Sequence, residues 1–305
     1  MGQATKQVQM MGTIITLEIE ADAPAPILTE LVKRLKIYEH RFSANDDSSE
    51  LMAISRSAGI EPVVVNEELY KLIEFGLHYS LVPQSRLNIA IGPLVQTWRI
   101  GFKDAKLPTP EEIVAALALT NPLDIVLDGF THSVFLKKAG MAIDLGSLAK
   151  GYIADMLMAY LKEINVKSAM INLGGNVLTM GPMPTRDDHF WRIGIQDPAK
   201  PRGNYKKVVR VRDQSVVTSG IYERKLVVNG KKYHHILDAR TGYPVQTDLA
   251  SLTIIADKSL DCELWTTRLF GQPSEISIAT INQVPNVEAI VIDQAGKVFI
   301  SAGLE

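Results

Sequence analysis

The sequence predicts an α+β fold, with mixed, mostly antiparallel sheets and helices packed against them. Amphipathic helical stretches and alternating strands are interleaved without the regular βαβ order of a doubly wound sheet. The last third is almost wholly strand-forming and is cut by the hairpin signals NGK and DQAGK. The chain has 305 residues, 46% of them apolar, which suits one large domain or two intimately packed lobes.

TIITLEIEA (13–21) alternates apolar and polar side chains, as a half-buried strand does. Pro24 and Pro26 break that pattern, and ILTELVKRLKIYEHRF follows with the 3.6-residue spacing of an amphipathic helix. EELYKLIEFGLHYSLV (67–82) is a second helix. PTPEEIVAALALT (108–120) opens a third, with Pro110 in its first turn and acidic residues where the helix dipole favours them. DIVLDG and HSVFLKKAG form a hairpin closed by DGFTH. Then come AIDLG, the helix KGYIADMLMAYLKEIN and the strand SAMINLGGNVLTMG. WRIGIQD, YKKVVRVRD, QSVVTSG, KLVVNGKKYHHILD, LASLTIIA, EAIVIDQ and KVFISAG read as strands, with SLDCELWTTRLFG (259–271) entering a helix among them.

The net charge is −2, so no global basic field draws nucleic acid or an anionic membrane to the chain. Cys262 is the one cysteine and allows neither an internal disulfide nor a C-x-x-C zinc site. The opening MGQATKQVQMMGTIITLEI lacks the apolar run of a signal peptide and the cysteine of a lipoprotein anchor. No stretch reaches the roughly 18 to 20 apolar residues of a membrane span. The expectation is a cytoplasmic protein, with an exported lipoprotein trimmed of its leader as the alternative.

Five stretches could carry chemistry. In IDLGSLAKGYIAD (143–155), Gly146 and Gly151 permit close backbone approach and a helix N-terminus offers unpaired N–H groups to a phosphate. The spacing is not that of a P-loop, and a plain strand–turn–helix with a surface Lys150 and a capping Asp144 fits equally. INLGGN (171–176) runs a strand into a Gly-Gly turn, which is a hairpin or a backbone nest for a charged ligand. TSG (218–220), backed by Tyr222 and Arg224, and HHILDARTGYP (234–244) are dense in polar groups. Turn chemistry and a satisfied strand histidine are the plainer readings of both. Glu263 and Thr267 stand four apart on one helical face, a carboxylate and a hydroxyl that suit a hard cation such as Mg²⁺ or else a solvated face.

Taken in order, MGT (11–13), RFSANDDSSEL (41–51), NIAIGPLV (88–95), DLGSLAKGYIAD, INLGGN, TSGIYER (218–224), HHILDARTGYP and CELWTTRLFG (262–271) resemble the ApbE family, the FAD:protein FMN transferases. The resemblance runs from Met11 to about Gly271 and implies a single catalytic domain of two lobes related to the T-fold. It also implies Mg²⁺-dependent transfer of FMN from FAD onto a Thr or Ser hydroxyl in the flavinylation motif of a partner flavoprotein, with release of AMP. The implied metal ligands are the Ala149 carbonyl, Glu263 and Thr267, and the implied base is His235. Implied contacts to FAD are Met11, Asn45, Asn88, Tyr152 and the backbone at Leu237, with Asp238, Thr218 and Ser219 shaping the pocket. Bottom-up chemistry agrees, since splitting a pyrophosphate needs charge neutralisation and positioning more than covalent work.

Four positions depart from the family pattern. Glu263 stands for an Asp, Asn88 for an Asp, Ala239 for a Pro, and Asn45 for an aromatic residue able to stack on FAD. Loss of the stack points to a FAD pyrophosphatase, with water as acceptor, as the second activity. A flavin-binding protein without catalysis is the third reading, should Glu263 and Asn88 disable the metal site.

Overall fold

The alternation of TIITLEIEA is realised as strand β2 (Thr13–Ala21), with Ile15, Leu17 and Ile19 buried on one side. It pairs with β1 (Gly2–Met10), whose side chains are mostly exposed, so the sequence shows no apolar period there. The computed structural model describes residues 2–304. Strand β2 ends at Ala21, before Pro24 and Pro26, as expected, and the helix begins at these prolines rather than after them. They form the first turn of helix α1 (Pro24–Arg41), where a missing N–H costs nothing, and Leu28, Leu31, Leu35 and Tyr38 line its buried stripe.

The chain divides into two compact units. One comprises the residues before His40, Ala149–Gly220 and those from Asp248 onward; the other comprises His40–Leu148 and Ile221–Thr247. The second unit begins with α2 (Glu50–Arg56), β3 (Val63–Val64), α3 (Glu67–Leu81), α4 (Gly92–Trp98), α5 (Pro110–Leu117), β4 (Ile125–Asp128) and β5 (Ser133–Leu136). Helix α5 starts with the full capping box that Thr109 and Glu112 encode. Strands β3, β5 and β4 form a small antiparallel sheet. Trp98 at the end of α4 is 1% exposed and packs with Leu94, Ile100, Ile113 and Ala116.

The first unit resumes with α6 (Ala149–Glu163), β6 (Ser168–Leu173), β7 (Asn176–Met180), β8 (Trp191–Gln196), β9 (Tyr205–Val211) and β10 (Ser215–Gly220). The hairpin β11 (Lys225–Val228) and β12 (Lys231–His234) belongs to the second unit. The chain then closes the first with β13 (Leu249–Ala256), α7 (Ser259–Leu269), α8 (Ser274–Ile281), β14 (Glu288–Asp293) and β15 (Val298–Ile300).

The first unit is organised by an eight-stranded sheet in the order β1-β2-β6-β7-β10-β13-β14-β15, antiparallel at every step. Strand β13 lies inside the sheet and is buried at all positions, Ser251 and Thr253 included. The hairpin β8–β9 packs Trp191, Ile195, Val209 and Val211 against Val216, Ile255, Ile290 and Ile292 of the sheet. Helices α6 and α7 pack on each other and on β7. No helix among the described residues is long and apolar enough to cross a membrane.

Candidate active site

In the first unit, the chemistry converges where α6 starts against α7. Gly151, in the first turn of α6, lets the two helices meet: a Cβ there would lie 2.6 Å from the Ser259 carbonyl oxygen and 2.9 Å from the Leu260 Cα. The close approach puts the Gly151 N–H, one of the unpaired donors of a helix start, 2.8 Å from Glu263 Oε2. The carboxylate is 4% exposed, and the Lys150 ammonium lies 3.6 Å from its other oxygen. Ala149 opens the same helix, and half-buried Thr267 sits one turn beyond Glu263 on α7. The structure therefore brings Glu263 to the helix start that Ala149 opens, with Thr267 four residues further along α7. Gly151→Ala should gain about 1 kcal/mol of helix propensity and lose about 1–3 kcal/mol to the backbone clash. A lower melting temperature is the expected net result.

Two residues complete this corner. Asn176, the first residue of β7, donates from Nδ2 to Glu263 Oε1 at 3.1 Å and accepts a hydrogen bond from the Ser259 hydroxyl. The Gly-Gly turn of INLGGN, with φ of 70° at Gly174 and 103° at Gly175, is a tight hairpin that delivers Asn176 to that place. Asp155 of α6 accepts from the N–H groups of Ser259 at 2.8 Å and Leu260 at 2.9 Å. It caps α7 from a neighbouring helix, where Lys258 at the N-cap position has no side-chain cap to offer. Nothing local to α7 marks either partner in the sequence.

Burial pushes the Asp155 carboxyl up to about 6 against those two backbone donors. A carboxyl raised above its unfolded value of roughly 3.9 binds its proton more tightly when folded. Its contribution to stability is therefore full below about pH 4 and lost as pH rises through about 6, a change of about 2–3 kcal/mol. In Asp155→Asn, which cannot titrate, urea unfolding should show that much less decline across this window.

The other residues of the first unit have simpler settings. Met11 and Gly12 form the two-residue turn between β1 and β2, both at positive φ. Glu39 of α1 holds the Met11 N–H at 2.5 Å. Tyr152 is half-buried in the first turn of α6. Thr218 shares a 2.8 Å hydroxyl bond with Thr253 across the β10–β13 pair, and Ser219 follows it, half-buried. Cys262 is buried beside the Ser215 carbonyl, and burial holds its thiol far above the usual range.

In the second unit, HHILDARTGYP folds back on itself. His234 accepts from the Ile236 N–H and bonds the Val245 carbonyl at 2.9 Å, and burial lowers its pKa. The sequence suggests the plain strand-histidine reading for its neighbour, His235, instead. His235 follows the end of β12, half-buried, with Nδ1 3.4 Å from the Arg224 carbonyl oxygen. A carbonyl only accepts, so where the ring makes this contact it does so as an Nδ1–H donor. Asp238 is gripped by Arg240, at 2.6 Å, and by Arg86, at 3.2 Å, which holds its carboxyl below the usual range, Arg240 first. Leu237 pairs with Pro244, and the Trp98 indole anchors the Gly242 carbonyl at 2.8 Å.

Asn45 is exposed and takes a hydrogen bond from Arg99 at 3.1 Å. Arg99 itself is held by Gln96 and Asp104 over the Phe102 ring. Asn88 spends both ends of its amide inside the unit: Oδ1 caps Ala90 and Nδ2 donates to the Thr120 carbonyl, each at 2.8 Å. Asp144 turns its own loop by accepting the Gly146 N–H at 2.8 Å.

The sequence pattern described as "ApbE family" matches residues 11–291. The chain belongs to the ApbE family. It is 41% identical over 295 residues to the FAD:protein FMN transferase of Klebsiella pneumoniae (strain 342), across 96% of this chain and 90% of that protein. It is 36% identical over 310 residues to the FAD:protein FMN transferase of Treponema pallidum (strain Nichols), across 97% and 86%. The crystal structure of the ApbE protein from Thermotoga maritima superposes with a TM-score of 0.89 at 27% identity, covering 99% of this chain and 98% of that one.

Seen as an ApbE chain, three of its departures acquire local reasons. Asn88 can donate to Thr120, which an Asp could not. The turn at Ala239, without its proline, is stiffened by the Arg240 and Arg86 grip on Asp238. Glu263 has the reach to meet both Gly151 and Asn176. The donor set of one carboxylate, one hydroxyl and one carbonyl is all oxygen and carries a single negative charge. That fits Mg²⁺, which takes hard ligands and shares its shell with substrate phosphates.

Proposed function

We propose that this protein is a Mg²⁺-dependent FAD:protein FMN transferase acting on a Thr or Ser hydroxyl of a partner flavoprotein. In the reaction the hydroxyl oxygen bonds to the phosphorus of the FMN half of FAD, the pyrophosphate P–O bond breaks, and AMP leaves. The hydroxyl proton passes to the base. The observation that carries this reading is the buried Glu263 carboxylate, held at the start of α6 beside Lys150 and one turn from Thr267.

Ala149, Glu263 and Thr267 would hold the cation, and Mg²⁺ bound there would supply charge neutralisation for the pyrophosphate. Lys150 adds a second positive charge next to Glu263. His235 is assigned the hydroxyl proton, with its Nδ1 turned to the Arg224 carbonyl. The names of the relatives, FAD:protein FMN transferase, support the substrate and the protein acceptor.

Incubation with FAD and a flavoprotein bearing a Thr/Ser flavinylation motif tests it, scored for AMP and for covalent flavin on a denaturing gel. Both products are expected with Mg²⁺ and neither with EDTA. Equal AMP release without the acceptor would favour the pyrophosphatase, a reading supported by Asn45, which offers no ring to stack on FAD and is tied to Arg99. Tight FAD binding with no product under any condition would leave only a flavin-binding protein.

A further inference from the structure

Asn176 joins two parts of the corner that the sequence places far apart. It is 3% exposed, and its amide lies between the Glu263 carboxylate and the Ser259 hydroxyl. A carboxylate only accepts, so the NH₂ end must face Glu263, which leaves the amide oxygen for Ser259. Ser259 is wholly buried, and its own N–H is fixed by Asp155 at 2.8 Å. A continuous buried chain thus runs from Asp155 through Ser259 and Asn176 to Glu263, and Gly151 holds the far oxygen of that carboxylate. At this position Asp would set a second negative charge against Glu263, and Leu would take one hydrogen-bond partner from Glu263 and the acceptor of the Ser259 hydroxyl.

We propose that Asn176, braced by Ser259, is a positioning residue that fixes the orientation in which the Glu263 carboxylate meets its cation. The inference rests on the flavin-transfer reading for the identity of that cation. The fixing of Glu263 is a property of the metal-free protein as well. Partners that orient a ligand from behind typically change metal affinity by about 10–100-fold when removed.

The test uses the full chain in two states. In Mg²⁺ titrations by calorimetry, Asn176→Leu should weaken affinity by about 10–100-fold, and Ser259→Ala by a smaller factor of up to about tenfold. The double variant should bind no more weakly than Asn176→Leu alone, because both act through one amide. FAD binding in EDTA should stay within about twofold of wild type, which a general loss of structure would not allow. Without metal, a urea-unfolding cycle of Asn176→Leu and Glu263→Gln should show coupling on the order of tenfold in the unfolding equilibrium constant. Should Asn176→Leu fail to fold, Ser259→Ala carries both measurements.

Mg²⁺ affinity within about twofold of wild type in folded variants, or an additive cycle, overturns the proposal. If wild type takes up no Mg²⁺ while the cycle shows coupling, the positioning of Glu263 stands and the metal-dependent function falls.

Discussion

Glu263→Gln is expected to abolish detectable Mg²⁺ binding and to lower AMP release from FAD by about 10²-fold or more, the usual scale for losing a preorganised charge at a phosphoryl site. The substitution keeps the size of the side chain and removes its charge. It also turns one acceptor into a donor. Whichever way the new amide lies, its NH₂ must face either the Gly151 N–H or the Asn176 NH₂, both of which are donors. Glu263→Ala is harsher, because it leaves both donors and the Lys150 ammonium without their acceptor. A buried polar group left unpaired costs about 1–3 kcal/mol, so this variant should also unfold at lower urea. Calorimetric Mg²⁺ titration with a parallel AMP assay decides the matter. Retention of Mg²⁺-dependent AMP release in folded Glu263→Gln would remove this carboxylate from the site.

His235→Ala is expected to reduce FMN transfer to an acceptor by about 10²–10⁴-fold, the range spanned by a positioned general base. Affinity for FAD should change little, since the imidazole is assigned to the acceptor hydroxyl. The adjacent His234→Ala provides the contrast. That ring bonds the Val245 carbonyl and the Ile236 N–H, so its loss should show in thermal stability before it shows in rate. Equal losses of transfer in the two variants would mean that the loop, not the base, had been measured.

The first-order fold was legible because its signals are local. Apolar alternation gave β2, the 3.6 period gave the long helices, and NGK gave a turn with Asn229 and Gly230 both at positive φ. What escaped has little local signal. Strand β1 is polar along its length and is a strand because β2 pairs with it. Helices α4 and α8 are short, at seven and eight residues. Within the site, Glu263 and Thr267 could be paired by spacing and Ala149 by resemblance. Asn176 and Asp155 could not, since their roles exist only once α6, α7 and β7 have met. Gly-Gly drew attention to INLGGN, whereas the side chain that bonds Glu263 is the Asn that follows it.

Strand β2 closes against β6 with Ile15 opposite Leu173, and the interior of the same sheet waits for β13, which begins at Leu249. A ribosome therefore delivers β1 and β2 long before anything exists to cover them on the β6 side. The whole of His40–Leu148 emerges in between. Long-range pairings of this kind are slow to form and leave strand edges open to wrong partners. Production of this protein should thus depend on chaperones and growth temperature more than its final stability would suggest. Fragments cut at any of the four unit boundaries should not yield half an enzyme, because each unit is assembled from separate stretches of the chain.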